Sequence, residues 1–177
     1  MPSDTSNNDG PAAGTEPGSD ANGGAEAAQQ VQEVPIHFSL QYVKDLSFEN
    51  PNAPEIYQSF QEPNVNVNVN VAANNLDDRT FEVTLKLAVT AKSTDDTGFL
   101  AELEYCGIAH VGESVEEQNV RPLVLIEGPR LLFPFARSIL ANLTRDSAFP
   151  MLLLGPMDFV KMYSDSVTAQ QAEASQA

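Results

Sequence analysis

The chain has 177 residues and a formal net charge of -16, with 25 Asp and Glu residues against 9 Lys and Arg. This length fits one domain with tails, and the excess of acid repels nucleic-acid phosphates and anionic membrane surfaces, so we expect neither as a partner. The single cysteine, Cys106, excludes an intramolecular disulfide and a cysteine-rich metal site, and it favours a reducing, cytoplasmic compartment.

The first 33 residues are predicted to form a disordered acidic head. They are rich in Gly, Ala, Ser, Asn and acid, and they contain no Lys, Arg or aromatic residue. Such a segment buries too little apolar surface to offset the chain entropy lost on folding. It also lacks the basic and apolar regions of a secretory signal, and no apolar run in the chain approaches the length of a membrane span.

After the head, apolar and polar residues alternate at the period of half-buried β-strands. A turn-forming run at residues 93–98 joins the third of these strands to a fourth, predicted from Phe99 to Ala109, as an antiparallel hairpin. The predicted apolar positions are Ile36, Phe38, Leu40 and Tyr42 in the first strand, Val65, Val67, Val69 and Val71 in the second, and Phe81, Val83, Leu85, Leu87, Val89 and Ala91 in the third.

The second half of the chain has helical spacing. Pro129 stands where a helix can start, and Phe135, Ile139 and Leu143 are spaced by four, which predicts a helix with one buried stripe. Asp158 is placed to cap a short second helix.

Four strands followed by helices indicate an α+β fold. We expect a four-stranded antiparallel sheet with two helices packed on one face, formed by residues 34–163. Residues 164–177 are rich in Ala, Gln and Ser; they could extend a terminal helix, but we predict a flexible C-terminal tail.

Strand four carries an unusual mixture of side chains. If Phe99 and Leu103 face the helices, Leu100 lies on the polar face beside Glu102 and Glu104. Leu100 is then either a scattered exposed aliphatic residue or the apolar anchor of an acidic docking surface.

A crossing segment follows strand one. Pro51 and Pro54 force it to be extended, and the large apolar residues behind them include Tyr57 and Phe60. These side chains either pin a loop to the core or line an apolar groove for extended polypeptide.

The sequence has no motif for phosphate binding, dinucleotide binding or nucleophilic catalysis. His37 and His110 stand on different strands, without a carboxylate or cysteine at metal-ligand spacing. Cys106 has no basic neighbour in sequence and is expected to be a buried, inert thiol. We therefore predict no enzyme activity, no cofactor and no metal site.

Four segments carry a resemblance to a known family. The run YVKDLSFENPNAP at residues 42–54 resembles the SecB family segment KD-I/L-SFE-x-PNAP. FLAE at 99–102, LFPFAR at 132–137 and the stretch from FP at 149–150 to DF at 158–159 resemble further SecB segments in the same order. Together they span about residues 34–163, the whole predicted domain.

The resemblance implies a cytoplasmic holdase, assembled as a homotetramer that is a dimer of dimers. Such a chaperone holds unfolded preproteins without ATP and passes them to the SecA motor, whose C-terminal tail is basic and contains zinc. Carried over by motif, the residues that contact SecA are Asp45, Glu49, Leu100 and Glu102. For a client-binding groove we name Phe48, Tyr57 and Phe60.

Three alternatives remain beside this prediction. A SecB-like chaperone dedicated to a toxin–antitoxin pair would have less need of the four SecA-contacting residues. A structural scaffold would have no affinity for denatured clients, and an enzyme would require a catalytic site that the sequence does not contain.

Overall fold

The computed structural model describes residues 35–93 and 96–174, with side chains described as far as residue 172. The predicted acidic head at residues 1–33 and the last three residues of the predicted tail lie outside these ranges. The chain runs through β1 (Ile36–Glu49), α1 (Ile56–Ser59), β2 (Asn64–Asp77), β3 (Thr80–Ser93), β4 (Asp96–Val111), α2 (Glu117–Asp146) and α3 (Phe159–Ala174).

The four strands form one antiparallel sheet in the order β1-β4-β3-β2. Helix α2 packs mainly on β3 and β4 and covers one face of the sheet, which we call the inner face. The opposite face is the outer face. This architecture confirms the predicted α+β fold.

The alternation of β2 and β3 follows the prediction. The six predicted apolar residues of β3 are all buried on the inner face, and the valines of β2 are half-buried beside them. The strands are longer than predicted around the hairpin, because β3 extends to Ser93 and β4 begins at Asp96.

The prediction of a single apolar face for β1 was wrong. Phe38 pairs with Ala109, but the next pair is Leu40 with Ile108, because a β-bulge lies between them. One extra residue in a strand moves all later side chains to the opposite face. Leu40 and Tyr42 therefore lie on the outer face, where Leu40 is 56% exposed.

Helix α2 begins at Glu117, twelve residues before the predicted start at Pro129. Three prolines, at 122, 129 and 134, lie inside it. The predicted stripe was also wrong, since Phe135 is 52% exposed and its companions Ile139 and Leu143 are only partly buried. The buried stripe, again spaced by four, comprises Val120, Val124, Gly128, Leu132, Ala136, Leu140 and Thr144.

Small residues explain this choice of stripe. A Cβ atom at Gly128 would lie 3.1 Å from Cγ1 of Val83, so glycine allows the helix to approach β3 closely. A search for large apolar residues favours Phe135 and passes over Gly128 and Ala136, although the two small residues face the sheet.

Helix α3 begins as predicted, because the Lys161 backbone N–H donates to Asp158 Oδ1 at 2.9 Å, which is an N-cap. It continues to Ala174 and so includes most of the segment predicted as a tail. Lys161 pairs with Asp165 one turn later at 2.6 Å, and no Gly or Pro interrupts the sequence after Pro156.

Candidate functional site

The antiparallel register of β1 and β4 brings the predicted SecA-contacting residues together on the outer face. Asp45 is paired with Glu104, Ser47 with Glu102 and Glu49 with Leu100. A second bulge, between Val43 and Asp45, turns the Asp45 side chain outward. We call Asp45, Glu49, Leu100, Glu102 and Glu104 the acidic patch.

A lysine from the neighbouring strand enters the acidic patch. Lys86 on β3 donates from Nζ to Glu104 Oε1 at 3.1 Å, and the same nitrogen lies 3.5 Å from Glu102 Oε2. The hydrogen bond to Glu104 and the nearby carboxylates raise the pKa of Lys86. Asp45 and Glu49 have no ion-pair partner among the residues that the structure describes.

A second lysine lies close to the acidic patch in sequence but is held away from it. Lys44 donates to both carboxylate oxygens of Glu82, at 2.9 and 3.0 Å, and Tyr42 donates its hydroxyl to the same side chain. The hydrogen bond to Glu82 raises the pKa of Tyr42 to about 12. Hydrogen bonds from Tyr42 and Lys44 lower the pKa of Glu82. Lys44 is therefore paired with Glu82. It does not balance the negative charge of Asp45.

The three predicted groove residues also meet, on the inner face near the crossing segment. Phe48 stacks on Phe99 with ring centroids 5.5 Å apart, and Phe60 packs edge-on against Phe149 at 4.9 Å. Tyr57 contacts the same Phe149 ring at 5.1 Å. We call Phe48, Tyr57, Phe60, Phe99 and Phe149 the aromatic cluster.

Tyr57 connects the crossing segment to the end of α2. Its hydroxyl accepts from Asn50 Nδ2 at 2.7 Å and donates to the Ser147 carbonyl at 2.9 Å, while the residue remains 42% exposed. The crossing segment is therefore pinned to the core, while Tyr57 on it remains partly exposed, and the apolar groove for extended polypeptide stays a prediction.

Sequence reasoning missed two residues that position this region. Phe149 is the ring that the other aromatic residues share, and its only signal was its place in the FP segment. Ser93 is buried, and its hydroxyl donates to the Gln61 carbonyl at 2.8 Å and accepts from the Gln61 N–H at 3.2 Å. It ties the crossing segment to β3, and nothing in the sequence pattern distinguishes it from other turn serines.

In the described part of the chain no group of His, Cys, Asp and Glu side chains is arranged to hold a metal ion. The rings of His37 and His110 stack 5.1 Å apart. Cys106 is fully buried, and burial raises the pKa of its thiol. None of the helices in the described ranges combines the length and apolar character of a membrane-spanning segment.

Comparison with known proteins gives consistent results. The family model for SecB, preprotein translocase subunit SecB, matches residues 28–171. The chain is 44% identical over 157 residues to the protein-export protein SecB of Bradyrhizobium diazoefficiens, covering 88% of this chain and 97% of that protein. It is 44% identical over 149 residues to the same protein of Rhodospirillum rubrum, covering 84% and 92%.

A solved structure has the same fold. It is a SecB-like chaperone of Mycobacterium tuberculosis in complex with an antitoxin peptide, with a TM-score of 0.58 and 16% identity over 70% of this chain and 91% of that one. SecB proteins are chaperones rather than enzymes. By the extent of the family match and the identity to these relatives, the chain belongs to the SecB family of protein-export chaperones.

Proposed function

We propose that the chain is an ATP-independent holdase that keeps preproteins unfolded in the cytoplasm and delivers them to SecA. One observation supports delivery to SecA: on the outer face, Leu100 lies beside the carboxylates of Glu49 on β1 and Glu102 on β4. The family match supports the chaperone part, and the solved SecB-like relative holds a peptide of its own partner.

The acidic patch suits a basic partner such as the C-terminal tail of SecA. Asp45 and Glu49 have no cation beside them in the described residues, so their charge is available to steer a basic segment. Leu100 is partly exposed and offers an apolar contact within this field. A patch of this kind favours the export role over a chaperone dedicated to one antitoxin.

Charge reversal tests this assignment. We expect Asp45→Lys and Glu102→Lys to weaken SecA binding strongly while client binding is retained, because the acidic patch and the aromatic cluster lie on opposite faces. Asp78→Lys is the matched control, since Asp78 is an exposed acid in the β2–β3 turn. Isothermal titration of SecA and of a denatured preprotein into each variant gives the two affinities, and equal loss of both would reject the assignment.

The aromatic cluster suits the binding of unfolded clients. Large rings give much contact area with little sequence requirement, and Tyr57 is the most exposed member. We expect the purified protein to suppress aggregation of a denatured preprotein without nucleotide, followed by light scattering, and Tyr57→Ala to suppress it less. A scaffold without chaperone activity would leave the scattering unchanged even at several-fold excess.

The tetramer is supported by apolar surface along β1 and α2. β1 is an edge strand, and Val43 and Leu46 on its inner face are exposed, as are Leu131 and Phe135 on α2. Open strand edges and exposed apolar side chains are typical of association surfaces. Light scattering coupled to size-exclusion chromatography should give the mass of four chains, and Leu46→Glu should lower it.

A further inference from the structure

Lys86 lies at the β3 side of the acidic patch, next to Glu102 and Glu104. In the sheet it is paired with Glu104 on β4 and Asn70 on β2, and its Nζ lies between Glu104 Oε1 at 3.1 Å and Glu102 Oε2 at 3.5 Å. The side chain of Lys86 is 43% exposed and that of Glu102 is 52% exposed, so the contact between them is open to solvent and to an incoming cation.

The other lysine of this region behaves differently. Lys44 makes two hydrogen bonds to Glu82, whose side chain is only 14% exposed and which lies outside the acidic patch. Lys86 differs from Lys44 in that both of its described partners, the hydrogen-bonded Glu104 and the more distant Glu102, belong to the acidic patch itself.

We propose that Lys86 is an internal counterion that competes with the basic partner for Glu102, and that it thereby sets the affinity of the acidic patch and restricts it to strongly basic segments. The inference rests on the proposed function, since it assumes that a basic partner docks on this surface. Lys86 is a specificity-determining residue: it partly neutralises Glu102 in the free protein and must give up that contact when a partner cation approaches.

Replacing Lys86 by a cation of the partner beside Glu102 lowers the binding affinity only modestly. Ion pairs between exposed side chains contribute little, so displacing Lys86 reduces the affinity by about two- to fivefold. A segment with several basic residues recovers this loss through its other contacts, whereas a segment with one basic residue does not. The acidic patch therefore retains strongly basic segments and releases weakly basic ones, and Lys86 itself supplies the competing positive charge.

The test is Lys86→Met, which keeps an unbranched apolar side chain and removes the charge. The matched control is Lys92→Met, which changes the net charge equally, six residues along the same strand, at an exposed lysine with no ion-pair partner in the described ranges. That separation is about 20 Å in an extended strand, beyond the screening length at physiological salt. The probes are a zinc-loaded synthetic peptide of the SecA C-terminal tail and a penta-lysine peptide, titrated at several salt concentrations.

We expect Lys86→Met to bind both peptides about two- to fivefold more tightly than the unchanged protein. Binding should also depend more steeply on salt, while Lys92→Met leaves both quantities unchanged. Unchanged or weaker binding of both peptides by Lys86→Met would overturn the inference. Lys86→Gln serves as a second variant if the thermal midpoint shows that Lys86→Met is not folded.

The two peptides separate this inference from the proposed function. If the unchanged protein binds penta-lysine but not the SecA peptide, and Lys86→Met still tightens penta-lysine binding, the counterion role stands and the SecA assignment fails. If charge reversal at Asp45 abolishes SecA binding but Lys86→Met has no effect on either peptide, the SecA assignment stands and the counterion role fails.

Discussion

Leu100 and Leu103 are three residues apart on β4 and lie on opposite faces of the sheet. Leu103 is fully buried on the inner face, paired with Leu46 and Leu87, whereas Leu100 is paired with Glu49 and Thr90 on the outer face. An odd spacing separates side chains in this way along a stretch of strand without a β-bulge, and β4 has none between these two residues. The two leucines therefore form a matched pair for distinguishing packing from partner binding.

We expect Leu103→Ala to lower the free energy of unfolding by about 2–5 kcal/mol, because it leaves a cavity in the core. Leu100→Ala should change it by less than about 1 kcal/mol, since the side chain is partly exposed, and should weaken SecA binding instead. Urea denaturation and SecA titration measure the two effects. A loss of stability in Leu100→Ala as large as that in Leu103→Ala would mean that Leu100 is a core residue.

Gly98 is required by the aromatic cluster. A Cβ atom there would overlap Cε2 of Phe60 and lie 2.8 Å from its Cδ2. Gly98→Ala should displace the Phe60 ring and destabilise the fold by about 1–3 kcal/mol, with weaker suppression of client aggregation. Gly155→Ala is the control, because a Cβ atom at Gly155 would meet no atom within 4 Å. Equal thermal midpoints for the two variants would contradict the packing described for Phe60.

The network around Glu82 predicts a pH dependence. The pKa of Glu82 is lowered from its ordinary value of 4.5 by the hydrogen bonds that it accepts from Tyr42 and Lys44. Its contribution to stability is therefore fully present above that value and is lost as the pH falls through the lowered pKa. In acid titrations followed by circular dichroism, Glu82→Gln should lose less stability than the unchanged protein over this range. Glu113→Gln, at an exposed carboxylate, should follow the unchanged protein.

Thr144 is a buried polar residue at the end of α2. Its hydroxyl donates to the carbonyls of Leu140 and Ala141 and accepts the N–H of Leu152 at 3.0 Å. Thr144→Val leaves that N–H without an acceptor and should cost about 1–3 kcal/mol in the free energy of unfolding. Thr168→Val, at an exposed position of α3, should change it by less than about 0.5 kcal/mol. Equal midpoints in urea at one protein concentration would argue against the role of the hydroxyl.

The buried thiol of Cys106 should resist alkylation in the folded protein. Burial raises its pKa, so little thiolate is present at neutral pH, and the sulfur is shielded from solvent. We expect mass spectrometry to find no iodoacetamide adduct in native buffer and one adduct per chain in urea. Rapid modification of the native protein would indicate that the sheet opens locally at β4.

The strands were largely predictable because their faces differ in polarity. The valines of β2 and the apolar residues of β3 alternate without interruption, and the outward position of Leu100 followed from the alternation of β4 alone. The pairing of Asp45 and Glu49 with β4 could not be obtained in that way. It depends on two bulges in β1, and the first is hidden because the apolar Leu40 and Tyr42 continue the alternation of Phe38 although they lie on the outer face.

The helices were less predictable, for a related reason. The buried stripe of α2 contains Gly128 and Ala136, whose small size matters for their fit against β3. Pro129 was read as a start signal because proline is common in the first turn of a helix. In α2 the helix had already begun twelve residues earlier, at Glu117, and the local signal for that start is the S-x-x-E spacing of Ser114 and Glu117, which is typical of a helix N-terminus.

Strand β4 contributes residues to both of the proposed binding surfaces. Leu100 and Glu102 project from one side of it, while Phe99 projects from the other side into the aromatic cluster. The acidic patch is built on paired strands, so it is preorganised and little entropy is lost in ordering it when a partner binds. The two proposed binding surfaces are therefore separated along the chain by a single peptide bond, between Phe99 and Leu100.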